Sequence, residues 1–137
     1  MCIRDRVIIE DFIDGKEVTC AVFTKKNTIK TLPITEIISE NEIFDYDAKY
    51  NGKSTEKTPA KLSNTIKGNI EEMSKKIYKQ LKLEGVIRVD FIINNTTPYI
   101  IEINTIPGFS EESIVPQMLK CANINISTFI TDQLNNI

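Results

Sequence analysis

The stretch Gly85–Phe109, GVIRVDFIINNTTPYIIEINTIPGF, decides how the rest of the chain is read. In its first half Ile87, Val89, Phe91 and Ile93 alternate with Arg88, Asp90 and Ile92. In its second half Tyr99, Ile101 and Ile103 alternate with Ile100, Glu102 and Asn104. A period of two marks β-strands, here with the odd positions turned towards a core. Asn94-Asn95-Thr96-Thr97 supplies the turn, and Pro98, which lacks an N–H, suits the first residue of a strand. In an antiparallel hairpin, odd side chains share one face only if paired residue numbers sum to an even number. Pairing Asn94 with Pro98 meets that condition and leaves a three-residue loop. It sets Asp90 opposite Glu102 and Arg88 opposite Asn104.

Two carboxylates directly across a strand pair repel, so this register calls for a cation between them. Arg88 can serve as a surface salt bridge, worth ~0–1 kcal/mol if exposed. A hard divalent cation is the other reading. Asp90, Glu102 and Asn104 offer only oxygen ligands, and the chain has no His to suggest zinc. Mg²⁺ or Mn²⁺, keeping several waters and sharing substrate phosphates, fits such a sparse set. Beyond Asn104 the chain leaves the strand through Pro107-Gly108, a turn able to bring backbone N–H groups against a ligand.

The 137 residues suffice for one domain, and 41% hydrophobic with 26% charged residues is the composition of a globular protein. A net charge of −2 provides no basic footprint, which argues against nucleic acid as a partner. No apolar run approaches the ~18 residues needed to span a membrane. Cys2, Cys20 and Cys121 are odd in number without Cys-x-x-Cys spacing, a usage that fits reduced thiols in a cytoplasmic protein. Residues 1–6 fit the strand pattern that follows poorly and are read as a non-native leader, with the domain running over 7–137.

Val7–Ile13 and Val18–Phe23 are β-rich runs separated by Asp14-Gly15-Lys16-Glu17, which predicts a hairpin. Lys25-Lys26-Asn27 marks a second turn, and Ile29–Ile34 a third strand, pushed towards an edge by Pro33. From Ser39 to about Leu62 no apolar period is present. A stretch of that kind is either a solvated loop or a functional lid, and Phe44, Tyr46 and Tyr50 favour order. Ile66, Ile70, Met73, Ile77 and Leu81 predict an amphipathic helix of about five turns, N-capped by Ser63 or Asn64, with Gly85 just past its end. Pro116 is tolerated only in a first helical turn, which makes Ser113 rather than Ser110 the N-cap of the next helix. Ser127–Ile137 is a last short helix, apolar at Phe129, Ile130 and Leu134. The fold class expected is α+β, a mostly antiparallel sheet with helices packed on it.

The hairpin, its acidic pair, Asn104 and the Pro-Gly turn together resemble the magnesium-binding end of an ATP-grasp ligase. Glu102–Pro116, EINTIPGFSEESIVP, resembles the corresponding segment of D-alanine-D-alanine ligases. With the other motifs placed, that likeness extends from Val7 to the end of the chain and implies the C-terminal part of the catalytic ATP-grasp unit. By position in the family motifs it implies that Glu10, Ile13 and Glu17 hold adenine and ribose. Lys49 is implied to contact phosphate and Tyr50 to close the loop over substrate. Arg88 and the Gly108 N–H would stabilise an oxyanion, while Asp90, Glu102 and Asn104 would bind Mg²⁺. Ser113 and Ile114 would meet the carboxylate of the second D-alanine.

The implied activity is ATP-dependent joining of two D-alanines through an acyl phosphate, for peptidoglycan precursors in the cytoplasm, by a homodimer when complete. Lys49-Tyr50 resembles the dipeptide-forming branch rather than branches that accept a hydroxy acid. Asp11 departs from the family, which often has a basic residue there. The family's glycine-rich phosphate loop and its preceding lobe should lie before Val7, so the expectation is a truncated ligase, silent alone. The rival readings are another ATP-grasp carboxylate-amine ligase and a non-catalytic nucleotide-binding remnant.

Overall fold

The computed structural model describes residues 9–39 and 54–135. In chain order these form β1 (Lys16–Lys25), β2 (Thr28–Thr31), β3 (Thr35–Ser39), β4 (Ser54–Lys57), α1 (Asn64–Gln80), β5 (Val86–Asn94), β6 (Thr97–Asn104), α2 (Ile114–Cys121) and α3 (Ile126–Leu134). The strands make one sheet in the order β4-β3-β1-β5-β6, with β2 also paired to β1, and every pairing is antiparallel. The α+β class with helices on an antiparallel sheet is what the periodicity predicts.

Strand β1 is the hub because both its edges are used, by β5 along Lys16–Phe23 and by β3 along Glu17–Thr19. That arrangement overturns the hairpin expected at Asp14-Gly15. Residues 9–14 form no strand, and Ile9 and Phe12 are 93% and 83% exposed, since no edge beside the start of β1 is left to pair with. Gly15 serves close approach instead, as a Cβ there would lie 2.3 Å from the Ile93 carbonyl oxygen. The proposed leader, residues 1–6, lies outside the described residues.

The turn at Lys26-Asn27 is present, with both residues at positive φ (48° and 59°), as a two-residue hairpin requires. The strand expected over Ile29–Ile34 stops at Thr31, and a separate strand, β3, begins at Thr35. The stretch expected to lack regular structure contains β4, paired to β3 from Glu36↔Lys57 to Ser39↔Ser54. Its four residues, STEK, carry no hydrophobic signal of their own.

Helix α1 starts at Ser63, whose Oγ accepts from the Ile66 N–H at 3.3 Å. It ends before Gly85, through a left-handed Lys82 (φ 51°) that sends its N–H to the Lys79 carbonyl, while Leu83 donates to the Tyr78 carbonyl. Leu81, expected on the core face, is 56% exposed; Ser74 and Tyr78 are buried in its place. The Tyr78 hydroxyl stays satisfied, donating to the Gly85 carbonyl at 2.8 Å and accepting from Thr24 Oγ1 at 3.2 Å.

The hairpin β5–β6 keeps the expected pairs Arg88↔Asn104 and Asp90↔Glu102, but a bulge follows. Phe91 pairs with Ile100 and Asn94 with Thr97, so the loop is two residues rather than three, turning through Asn95 at φ 55°. One extra residue reverses the parity of the outer half of β6. Ile103 packs on the core as expected, whereas Tyr99 and Ile101 on this edge strand are exposed.

Alternation along β1 and β5 sorts side chains into two cores. On one face Val18, Cys20, Val22, Ile87, Val89 and Phe91 pack under Ile70 and Tyr78 of α1. Burial above all pushes the Cys20 thiol up to about 12, so it packs as a small apolar residue rather than acting as a nucleophile. On the other face Ala21 and Phe23 pack against Val115, Met118 and Leu119 of α2 and Phe129 of α3. Phe129 meets Phe23 edge-on at 5.0 Å and stacks on Phe109 at 6.2 Å. Ile130 and Leu134, expected to be apolar contacts of α3, are exposed.

Candidate active site

The face that carries α2 and α3 is only partly covered by them. Helices α2 and α3 sit over Ala21 and Phe23; the same parity puts Glu17 and Thr19 of β1 and Arg88, Asp90 and Ile92 of β5 on the uncovered part. Register then sets Glu102 and Asn104 of β6 beside Asp90 and Arg88. The result is a cavity of about 350 Å³, open to solvent. It is lined by Glu56 of β4, Ile37 of β3 and Glu17 of β1, by Arg88, Asp90 and Ile92 of β5, by Ile101 and Glu102 of β6, and by Ile114 at the start of α2.

At its centre the Arg88 guanidinium grips Asp90 bidentately, Nε donating to Oδ1 and Nη2 to Oδ2, both at 2.9 Å. Thr19 Oγ1 donates to Oδ1 from the opposite strand at 2.5 Å. The ion pair is not the exposed one considered from sequence, since the two side chains are only 15% and 11% exposed. Burial works to lower the pKa of Arg88, but the hydrogen bond and charge of Asp90, with the charges of Glu102 and Glu56, outweigh it and leave the pKa raised. The guanidinium is therefore a permanent cation facing an acidic wall.

Asp90, Glu102 and Asn104 lie on one face of two adjacent strands, which is the arrangement a shared hard cation needs. Asp90 Oδ1 accepts from both Thr19 and Arg88, and Oδ2 from Arg88. Among the described residues that leaves one of the carboxylate's roughly four acceptor directions, on Oδ2, for anything else. Glu102 is exposed, and Asn104 Oδ1 accepts from the Ile106 N–H at 3.1 Å. No three His, Cys, Asp or Glu side chains converge among the described residues. The donors on this face, two carboxylates and an amide oxygen, are of the all-oxygen kind that a hard ion such as Mg²⁺ takes while keeping several of its waters.

The other sequence-derived positions divide as follows. Glu17 and Ile114 line the cavity, whereas Glu10, exposed, and Ile13, half-buried, precede β1 and do not line it. Lys49 and Tyr50 lie outside the described residues. Ser113 is the N-cap residue of α2, and Pro116 is the third helical residue, as expected. The Ser113 hydroxyl caps no helix N–H and is paired with Ser110 Oγ at 2.7 Å. Gly108 abuts it, for a Cβ there would lie 2.9 Å from Ser113 Oγ.

Sequence reasoning missed Thr19, Glu56 and Gln117. Thr19 had a signal, lying two residues from Glu17 in a strand and so on the same face. Glu56 had none, because β4 was not legible. Gln117 Nε2 donates to Glu56 Oε2 at 2.6 Å and to the Glu112 carbonyl at 2.9 Å, fastening β4 to the turn before α2.

The family model described as "D-ala D-ala ligase C-terminus" matches residues 2–135. A D-alanine-D-alanine ligase of Flavobacterium johnsoniae is 46% identical over 130 residues, 95% of this chain and 40% of that protein. The crystal structure of the D-alanine-D-alanine ligase of Bacillus anthracis superposes with a TM-score of 0.75 at 33% identity, over 92% of this chain and 41% of that one. Its structure complexed with ATP gives 0.74 at 28% identity, over 92% and 39%. The chain thus spans about 40% of the length of the curated relatives it matches. On a match of this extent, the chain belongs to the D-Ala-D-Ala ligase C-terminus family.

Proposed function

We propose that this chain supplies the C-terminal part of the active site of an ATP-dependent ligase that joins two D-alanines into D-alanyl-D-alanine. The observation that carries the reading is the row of Arg88, Asp90, Glu102 and Asn104 on one sheet face. Arg88, Asp90 and Glu102 of that row line a cavity with Glu17 and Ile114, and Asn104 lies opposite Arg88 beside it. The relatives' names supply the substrate. The implied chemistry is attack of one D-alanine carboxylate oxygen on the γ-phosphorus of ATP, which forms an acyl phosphate as ADP leaves. The free amine of the second D-alanine then attacks the acyl carbon, and the amide forms as phosphate leaves and the nitrogen gives up a proton.

Both steps build negative charge that fixed cations and N–H donors must meet. Arg88 spends two of its five N–H groups on Asp90 and presents the remainder of the guanidinium to a developing oxyanion. The Gly108 N–H is proposed as the second donor there. Asp90, Glu102 and Asn104 would hold Mg²⁺ or Mn²⁺, which when bound neutralises phosphate charge. Glu17, with Glu10 and Ile13, is assigned to the nucleoside end and Lys49 to its phosphates. Tyr50 is assigned to closure over substrate, and Ser113 with Ile114 to the carboxylate of the second D-alanine. Among the described residues no helix is long and apolar enough to cross a membrane. Action in the cytoplasm as a homodimer, supplying the dipeptide for peptidoglycan precursor synthesis, completes the proposal.

The test is turnover of the natural full-length gene product with ATP, Mg²⁺ and D-alanine, following phosphate release and the dipeptide mass. D-alanine-dependent release of both is expected. Preference for D-serine or D-lactate as acceptor, or no amino-acid-dependent release, would overturn the substrate assignment. Glu102→Ala is expected to abolish metal-dependent turnover. A near-normal kcat at saturating Mg²⁺ would remove Glu102 from the ligand set.

A further inference from the structure

We infer that Thr19 is a positioning residue of the metal site: its hydroxyl fixes the Asp90 carboxylate so that a single oxygen, Oδ2, is turned towards the ion. The inference rests on the ligand set proposed above. Thr19 lies on β1, directly opposite Asp90 in the β1–β5 register, and is completely buried. Its Oγ1 donates to Asp90 Oδ1 at 2.5 Å and lies 3.3 Å from the Val89 carbonyl oxygen, so the hydroxyl proton is directed at acceptors of β5 alone. A hydroxyl carries one proton, and the shorter contact takes it.

The consequence follows from counting acceptor directions. Arg88 alone holds both oxygens through one guanidinium, so the carboxylate would be free to move together with that side chain. A third donor at Oδ1, arriving from the opposite strand, removes that freedom. It also fills Oδ1, so a cation is left with Oδ2 and takes Asp90 as a one-oxygen ligand. Polar partners behind a ligating group orient it, and their removal typically weakens metal binding by roughly 10- to 100-fold. The same row continues to Thr35, opposite Thr19 on β3, whose hydroxyl is engaged at 2.6 Å by Thr58 and not by Asp90. Thr19 is therefore the one hydroxyl in this row that reaches the carboxylate among the described residues.

The experiment measures Mn²⁺ binding by electron paramagnetic resonance, with ADP present, in the natural full-length protein and its Thr19→Val, Thr19→Ser and Thr19→Ala variants, alongside thermal melting. The expected result is a Kd for Mn²⁺ raised roughly 10-fold or more by Val and Ala and left within about 2-fold by Ser, which keeps the hydroxyl. If Val fails to fold, the Ser and Ala pair carries the same comparison. Equal Kd values across all variants, with wild-type binding intact and Asp90→Asn abolishing it, would overturn the role of Thr19 alone. Wild-type binding that survives both Asp90→Asn and Glu102→Ala would instead overturn the ligand set. Loss of affinity in Ser equal to that in Ala would show that the side-chain volume matters and the hydrogen bond does not.

Discussion

Arg88 and Asp90 are two residues apart on one strand, and that spacing puts both side chains on the same face. Proximity alone would make a weak surface pair. In the folded chain the two side chains are only 15% and 11% exposed, which makes it a largely buried pair in which each partner depends on the other for solvation. Arg88→Met should therefore destabilise the protein by about 3–5 kcal/mol, because Asp90 is left buried with Thr19 as its remaining donor. Arg88→Met with Asp90→Leu should recover most of that loss, since removing both charges removes the desolvation cost. Urea unfolding of the two variants checks this. A single variant within about 0.5 kcal/mol of wild type would mean that the pair is screened like a surface one.

Among the elements, β1 and the hairpin β5–β6 set the site. The bulge after Asp90 keeps the charged pairs Asp90↔Glu102 and Arg88↔Asn104 in the inner half of the hairpin while the outer half shifts by one residue. Ile101 thereby joins the cavity wall beside Glu102 instead of the core. At the other end of the same strand pair, Gly15 lets the start of β1 lie against the Ile93 carbonyl. Gly15→Ala should push the two backbones apart and cost about 1–3 kcal/mol, the usual range for overpacking. The loss would show as a lowered urea midpoint, together with faster amide exchange at Lys16 and Glu17. An unchanged midpoint would show that the β1–β5 register tolerates the shift. After α1 the chain turns left-handed twice, at Lys82 (φ 51°) and at Gly85 (φ 68°), whereas Gly15 is needed for space, so glycine positions here mark space as well as conformation.

On the scale of the whole molecule, one sheet separates two cores, and the smaller of them determines where the site can be. Because α2 and α3 cover only the Ala21–Phe23 end of their face, the Glu17–Thr19 end stays open as a cavity. Phe129 is the anchor of that cover, buried between Phe23 and Phe109. Phe129→Ala should cost about 3–5 kcal/mol and loosen α3 while the core under α1 persists. Hydrogen exchange confined at first to α2 and α3 is the expected signature, and uniform loss of protection would show that the two cores unfold as one. Period-two alternation in Ile87–Ile93 and the even-sum register were enough, from residues alone, to put Arg88, Asp90, Glu102 and Asn104 on one face, because side-chain direction along a strand is a local property. The helices at Asn64–Gln80 and Ile114–Cys121 were legible for the same reason, through a period near 3.6 and the position of Pro116. Strand order was not local. It denied residues 9–14 a partner, built β4 from four polar residues, brought Thr19 to Asp90 across 71 positions of sequence and tied Gln117 to Glu56. Which edges are free, and which buried oxygens find donors, depends on the simultaneous packing of segments far apart in the chain, and no periodicity encodes that.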